Sequence, residues 1–261
     1  MVSDDSLPAP TKDRARLYPA EGVVLRRRDL GEADRILIIF TDRVGKVSVV
    51  AKGVRRTKSR LAGHLEPFCR SSLLIAKGRN LDIVTQASLI DPFRNLHENE
   101  ALIAYASYFG DLVDLFSVEG QENHYAYELL IETLSQLNDG LDPFVTSVVF
   151  EFRLLALMGF LPELYKCIDC GKELRPETNG FSLSGGVVCP DCRGNQPLTE
   201  TISLNALKFL RLIERGETGT VRRLRLASDL KGEIDRTVRG YVGFVLEREP
   251  RSLTVLRTIV D

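Results

Sequence analysis

Nowhere in this chain of 261 residues does an apolar run approach the roughly 18 residues that a membrane-crossing helix needs. The opening stretch, MVSDDSLPAPTKDRARLYPA, lacks the apolar core of a secretory signal and reads as a disordered tail over residues 1–20. No membrane association and a cytoplasmic location are therefore expected. There is no G-x4-G-K-[ST] loop to cradle nucleotide phosphates, no G-x-S-x-G elbow for a serine nucleophile and no H-E-x-x-H zinc helix. Histidine is scarce: His64, His97 and His124 stand apart, without a matching cysteine or serine motif. Nothing in the pattern asks for catalysis, and the chain reads as a non-enzyme. No internal repeat is present.

Charge is plentiful but unevenly placed. Lys plus Arg number 35 and Asp plus Glu 36, for a formal net charge of −1. Residues 22–79 carry 14 basic and 5 acidic side chains, net +9, whereas residues 80–165 carry 2 and 14, net −12. A first region that attracts a polyanion and a second that repels it is the simplest expectation. Within the basic region, AKGVRRTKSRLAGHLEPF (51–68) sets Lys52, Arg55, Arg56, Lys58 and Arg60 within nine positions, with Glu66 as the nearby acid. Such a run is either a solvated loop or a loop that holds an external anion. The regional asymmetry favours the anion.

From Gly22 to Asp91 the sequence is strand-like. VVLRR (23–27), RILIIFT (35–41), VGKVSVVAKGV (44–54), SSLLIAKG (71–78) and LDIVTQASLI (81–90) are rich in β-branched residues, and Val47, Val49 and Ala51 alternate onto one face. Five short strands in about 70 residues suit a small closed barrel of the OB type, with an SH3-like barrel as competitor. After Pro92 the period changes. Leu102, Tyr105, Phe109, Leu112, Val113 and Phe116 share a helical face, and a second helix is expected over 121–137. Asp142 before Pro143 caps a third helix to about Met158; Ser203 caps a fourth ending near Gly216; Leu230 to Val245 mark a fifth. The expected class is α+β multidomain: an OB-fold barrel at 21–93 and an α-helical domain at 94–261.

Five cysteines remain to be placed. CIDCGKELRPETNGFSLSGGVVCPDC (167–192) has the spacing C-x2-C-x18-C-x2-C, that of a four-cysteine zinc site with ligands Cys167, Cys170, Cys189 and Cys192. Gly171 and Pro190-Asp191 fall where the two knuckles turn, and Phe181 to Val188 suits a short hairpin. Disulfides are disfavoured in a cytosolic chain. Four thiolates leave no coordination position for water or substrate, so one structural zinc per chain is expected. Cys69 is left as a small buried hydrophobe.

GEADRILIIFTDRVGKVSVVAKGVRRTKSRLAGHLEPF (31–68), GRNLDIVTQASLIDPF (78–93) and LLALMGFLPELYKCIDCG (154–171), together with the second cysteine pair, resemble the bacterial RecO family of DNA-repair and recombination mediators. The resemblance implies an OB-fold domain, a helical domain and a zinc module on the same four cysteines. It implies binding of single- and double-stranded DNA, annealing of complementary strands without ATP, and work with RecR and the single-strand-binding protein so that RecA can load. It places a repair function in the cytoplasm, at the nucleoid. The family's DNA-binding basic residues carry over onto Arg35, Lys46, Lys52, Arg55, Arg56 and Lys58, and the charge run adds Arg60.

One departure concerns the acidic C-terminal tail of the single-strand-binding protein, which relatives hold with basic side chains of the helical domain. Residues 80–165 offer only Arg94 and Arg153 for this. VRRLRL (221–226), with Arg222, Arg223 and Arg225 between apolar residues, has the better composition, although the same pattern fits an amphipathic segment with a solvated face. The barrel sequence has few aromatics for base stacking, so phosphate contact with weak sequence preference is expected. A zinc-ribbon or OB-fold transcription or translation factor would combine the same parts and would prefer a defined sequence. A scaffold would bind no nucleic acid at all.

Overall fold

The computed structural model describes residues 17–196 and 198–260. Strands β1 (Leu17–Leu30), β2 (Asp34–Thr41), β3 (Gly45–Ala51), β4 (Arg70–Ala76) and β5 (Asp82–Asp91) close into a barrel in the order β1-β2-β3-β5-β4, an OB-like arrangement. All neighbours run antiparallel except β3 and β5, which are parallel and joined by only two pairs, Val49↔Asp82 and Val50↔Ile83. The alternation read in β3 holds: Val47, Val49 and Ala51 are buried and face Leu37, Ile39, Leu73, Ile75 and Val84 across the barrel interior.

The first strand is longer than expected at both ends. Leu17–Ala20, expected as tail, pair with β4, whose register runs from Leu17↔Ala76 to Val23↔Arg70. The remainder of the expected tail, residues 1–16, lies outside the described residues. A register shift between Val24 and Arg26 in the pairing with β2 marks a bulge. There two consecutive residues are buried, Val24 in the barrel interior and Leu25 in the helical core. A bulge of this kind breaks the period-two signal and bends the strand, so a pattern reading finds only the middle of β1 (23–27).

The helices are α1 (Arg94–His97), α2 (Glu100–Phe116), α3 (His124–Asn138), α4 (Pro143–Leu157), α5 (Leu204–Glu214), α6 (Thr218–Val221), α7 (Ser228–Val245) and α8 (Arg251–Val260). Their starts follow capping chemistry. Asn123 Oδ1 accepts from Ala126 N, Asp142 Oδ1 from Val145 N ahead of Pro143, and Ser203 Oγ from Ala206 N, each within 3.2 Å. The last helix was not expected from the sequence. It buries Leu253 and Leu256, and the Ser252 amide donates to Asp111 Oδ2 of α2 at 3.0 Å.

The helical core takes in the outer wall of the barrel. Val23, Leu25, Phe40 and Phe68 are buried in the same cluster as the apolar faces of α2, α3 and α4. Gly110 makes this approach possible, because a Cβ there would lie 3.0 Å from the Phe68 ring. Between α4 and α5 sits a small sheet in the order β7-β6-β8, with β6 (Asn179–Ser182), β7 (Gly186–Val188) and β8 (Thr199–Ile202). The first two form the expected hairpin. Among the described residues no helix is long and apolar enough to cross a membrane.

Candidate metal centre and nucleic-acid interface

The four sulfurs of Cys167, Cys170, Cys189 and Cys192 all lie within 4.8 Å of one another, with Cys170 Sγ 3.9 Å from Cys189 Sγ. A tetrahedron with metal–sulfur bonds of about 2.3 Å has edges of about 3.8 Å, so the cluster fits one ion. Local geometry aims the sulfurs inward. Gly171, at φ +71°, closes the first knuckle by donating to Cys167 O at 2.8 Å, and Cys167 N donates to Lys172 O at 2.8 Å. Pro190 opens a 3-10 turn, Pro190–Asn195, that brings Cys192 back toward Cys189. Ile168 N donates to Val187 O at 3.0 Å and ties the first knuckle to the hairpin. Burial works against the Cys167 thiolate, but the amides of Cys170, Cys189 and Asp169 outweigh it and bring its pKa down to about 6. The cluster is a donor set able to hold a metal ion.

The basic loop leaves β3 at Gly53, whose φ of +64° turns the chain across the barrel end. Its backbone is tied to the β1–β2 turn: Gly53 N donates to Asp34 Oδ1 at 2.7 Å and Arg55 N to Ala33 O at 2.9 Å. Val54 and Leu65 enter the barrel core and anchor the loop from inside. The short turn Ala62–His64 is held by Ser71 Oγ donating to His64 O at 2.6 Å and by Leu89 N donating to His64 Nδ1 at 3.2 Å. On this fixed loop Lys52, Arg56, Lys58 and Arg60 are exposed. Among the described residues none of the four has an ion-pair partner.

The other three predicted contacts are spent inside the protein. Lys46 lies at the seam with α2, its Nζ 3.0 Å from Asp114 Oδ1. Arg35 contacts Asp29 at 3.1 Å and Glu66 at 3.6 Å. Arg55, expected to lack an internal partner, has Asp29 at 3.4 Å and donates to Gly31 O at 3.0 Å. Asp114 reaches Lys46 from α2, whereas Asp29 and Glu66 belong to the barrel region itself. Part of the acidic region, which was expected to be a repelling surface, is also paired, while Glu98, Glu100, Glu122, Glu128 and Asp139 are exposed. Asp111 and Asp114 take Arg26 at 2.6 and 3.5 Å, Glu132 takes Arg153, Asp142 takes Lys231 and Glu151 takes Arg239.

Sequence reasoning passed over Arg28. Of the triplet Arg26, Arg27 and Arg28, the first binds Asp111, the second binds Glu66, and the third is exposed beside Asp29 and has no ion-pair partner among the described residues. The triplet itself was the available signal; which member stays free depends on where Asp111 of α2 and Glu66 meet β1.

In VRRLRL, Val221 is buried at the end of α6 and Leu226 half-buried, leaving Leu224 as the exposed apolar side chain. Arg222 lies 3.8 Å from Glu132, Arg223 Nε donates to Gly219 O at 3.1 Å, and Arg225 is exposed. Cys69 is buried with its sulfur 3.6 Å from His97 Nε2, and burial pushes its thiol up to about 11, which suits an inert packing residue.

Two family models cover nearly all of the described chain: "Recombination protein O N terminal" over residues 16–93 and "Recombination protein O C terminal" over residues 98–254. A protein named DNA repair protein RecO from Roseiflexus sp. is 41% identical over 244 residues, covering 93% of this chain and 86% of the relative. One of the same name from Dehalococcoides mccartyi is 37% identical over 243 residues, covering 93% and 96%. Another, from Symbiobacterium thermophilum, is 33% identical over 247 residues, covering 93% and 98%.

Proposed function

The chain belongs to the RecO family, and from that premise we propose that it mediates DNA repair and homologous recombination by binding DNA at the charged end of its barrel. The observation that carries this reading is the unpaired group Lys52, Arg56, Lys58 and Arg60 on a loop tied down at both ends, with Arg28 beside it. Cations of this kind meet phosphates rather than base edges, so single- and double-stranded DNA are both accepted with little sequence preference. Screening two mutually repelling backbones while leaving bases free lets complementary strands anneal. That requires no ATP, and the chain has no phosphate-cradling loop. RecR and the single-strand-binding protein are the partners this role calls for, with RecA loading as the result. Arg222, Arg223 and Arg225, around the exposed Leu224, are the proposed receptor for the acidic, apolar-ended tail of the single-strand-binding protein.

The metal we assign is one structural zinc held by Cys167, Cys170, Cys189 and Cys192. It supplies folding energy to the β6–β8 module, since four thiolates leave it no open position for chemistry. The protein acts in the cytoplasm, at the nucleoid.

The test is a fluorescence annealing assay on complementary strands, naked and coated with single-strand-binding protein. A variant with Lys52, Arg56, Lys58 and Arg60 changed to Ala is expected to anneal at least tenfold more slowly than wild type on both. Equal rates would overturn the assignment of the loop. Within the same experiment, Arg223→Glu is expected to weaken binding of a tail peptide while leaving naked-DNA binding intact.

A further inference from the structure

At the barrel end away from the basic loop, β3 and β5 part company. Their parallel pairing covers only Val49↔Asp82 and Val50↔Ile83, so among the described residues the start of β3 has no neighbouring strand on that side. The connection between α2 and α3 covers part of this edge: Gly120 N donates to Lys46 O at 2.8 Å and Ser48 N to Glu119 Oε1 at 2.9 Å. Between the edge, the β4–β5 loop and the first residues of β1 lies a cavity of about 650 Å³, within the size range of small-molecule sites.

The lining combines apolar walls with cations. Val44, Val47, Leu81 and the Tyr18 ring supply the walls, and Ser48 and Asn80 add polar groups. Arg43 and Lys77 also line it; Lys77 Nζ sits 6.0 Å from the Tyr18 ring centre, and Arg43 has only its neighbour Asp42, at 3.4 Å. The two carboxylates present are already engaged by their own walls. Asp82 accepts from Tyr18 OH at 2.6 Å and from Gly78 N at 3.0 Å, while Glu119 accepts from Ser48 N. Formal charge at the cavity is balanced, but both acids are turned to donors of the protein while Arg43 and Lys77 stand exposed at the rim, where a phosphate can reach them.

We propose that this cavity receives one unpaired base of a single-stranded nucleic acid, with the flanking phosphates on Arg43 and Lys77. It is a second contact, separate from the loop, and it rests on the reading of the chain as a DNA-binding protein. From Val44 to Lys52 along β3 is about 27 Å at about 3.4 Å per residue, so a strand held at one end of the barrel is not crowded by one held at the other. An unpaired base has two free faces for an aromatic and apolar slot and a free edge for Ser48 and Asn80. A base in a duplex is stacked on both faces and its pairing edge is occupied, so the cavity distinguishes single strands where the loop does not.

The experiment measures fluorescence polarization of the full chain with three probes: a 15-mer oligothymidylate, an abasic strand of the same length, and a duplex. Wild type is expected to bind the oligothymidylate about tenfold more tightly than the abasic strand, the order expected of one sheltered base. Leu81→Ala, which leaves the barrel core untouched, is expected to remove most of that preference and leave duplex affinity unchanged. Lys77→Glu is expected to weaken the single strand more than the duplex. Equal affinity of wild type for the oligothymidylate and the abasic strand, or full preference in Leu81→Ala, overturns the cavity and spares the loop. Binding to none of the three probes at moderate salt overturns both.

Discussion

Lys46 Nζ lies 3.0 Å from Asp114 Oδ1 and donates to the Asp114 carbonyl at 2.6 Å, joining the wall of the barrel to helix α2. Arg26 adds to the same seam through Asp111 and Asp114. The opposite net charges of residues 22–79 and 80–165 are thus used in part as internal glue between the two cores. Both Lys46 and Asp114 side chains are largely sheltered, at 16% and 13% exposure, so removing Lys46 leaves the Asp114 carboxylate with the longer contact to Arg26 at 3.5 Å. Lys46→Ala is expected to destabilise the protein by about 1–3 kcal/mol in a denaturant titration, with DNA affinity at matched folded protein unchanged. Loss of DNA affinity without loss of stability would return Lys46 to the nucleic-acid surface.

The loop makes a prediction in salt. If Lys52, Arg56, Lys58 and Arg60 each meet a phosphate, the log–log salt dependence of single-strand affinity has a slope near −3, from about −0.7 per contact. Changing Arg56 and Lys58 together to Ala makes that slope shallower by about 1.4. Arg55, braced by Asp29 and Gly31, is expected to act on loop order instead, with a smaller change in slope. A double variant that keeps the wild-type slope means that the loop is solvated and touches no phosphate.

How far the sequence revealed this arrangement depended on whether each signal was local. The inward face of β3, the caps Asp142 and Ser203 and each C-x2-C pair depend on residues within a few positions of each other, and each is visible in a short window. The start of β1 is not, because Leu17–Ala20 owe their strand conformation to β4, more than fifty positions away. Nor are the carboxylates beside Lys46, Arg35 and Arg55 legible in a short window, since Asp114, Glu66 and Asp29 lie on other elements and cations look equally free until those elements are placed. Helix α8 was missed because its two buried leucines, Leu253 and Leu256, have meaning only against α2.

The cysteine cluster predicts a metal-dependent module inside a metal-independent fold. Protein purified without chelators is expected to carry about one equivalent of zinc. Cys167→Ser, or a strong chelator, should remove it and lower stability, because metal-binding energy is folding energy. Hydrogen exchange should then rise through β6–β8 and the helical residues packed on them, where Phe181 meets Tyr241 at 5.7 Å. The barrel interior shares no residue with that cluster and should keep its protection, along with DNA binding by the folded remnant. Metal analysis that finds no zinc rules the site out.

Glu151 predicts a pH dependence of the helical core. It is 1% exposed on α4, with Ser147 Oγ at 3.3 Å and the Arg239 guanidinium of α7 at 3.9 Å; Arg239 in turn contacts Asp235 at 3.0 Å and lies over the Tyr108 ring of α2. Burial lifts the Glu151 carboxyl to about 7 from an ordinary 4.5, against the opposing pull of Arg239. Between those two values the folded state holds a proton that the unfolded chain has released, so stability from this group falls as pH rises from about 4.5 to about 7 and is constant outside that window. Glu163, held below the ordinary carboxylate range by the Tyr165 amide, contributes the opposite slope, so the quantity to measure is the difference between wild type and Glu151→Gln in unfolding free energy across pH 4 to 8. The amide keeps the side-chain shape and cannot ionise. The variant is therefore expected to gain on wild type steadily through the window and to hold that advantage above it. A difference that stays flat with pH would mean that Glu151 ionises alike in the folded and unfolded chain. A wild type that gains instead would mean that Arg239 outweighs burial and holds the carboxylate charged.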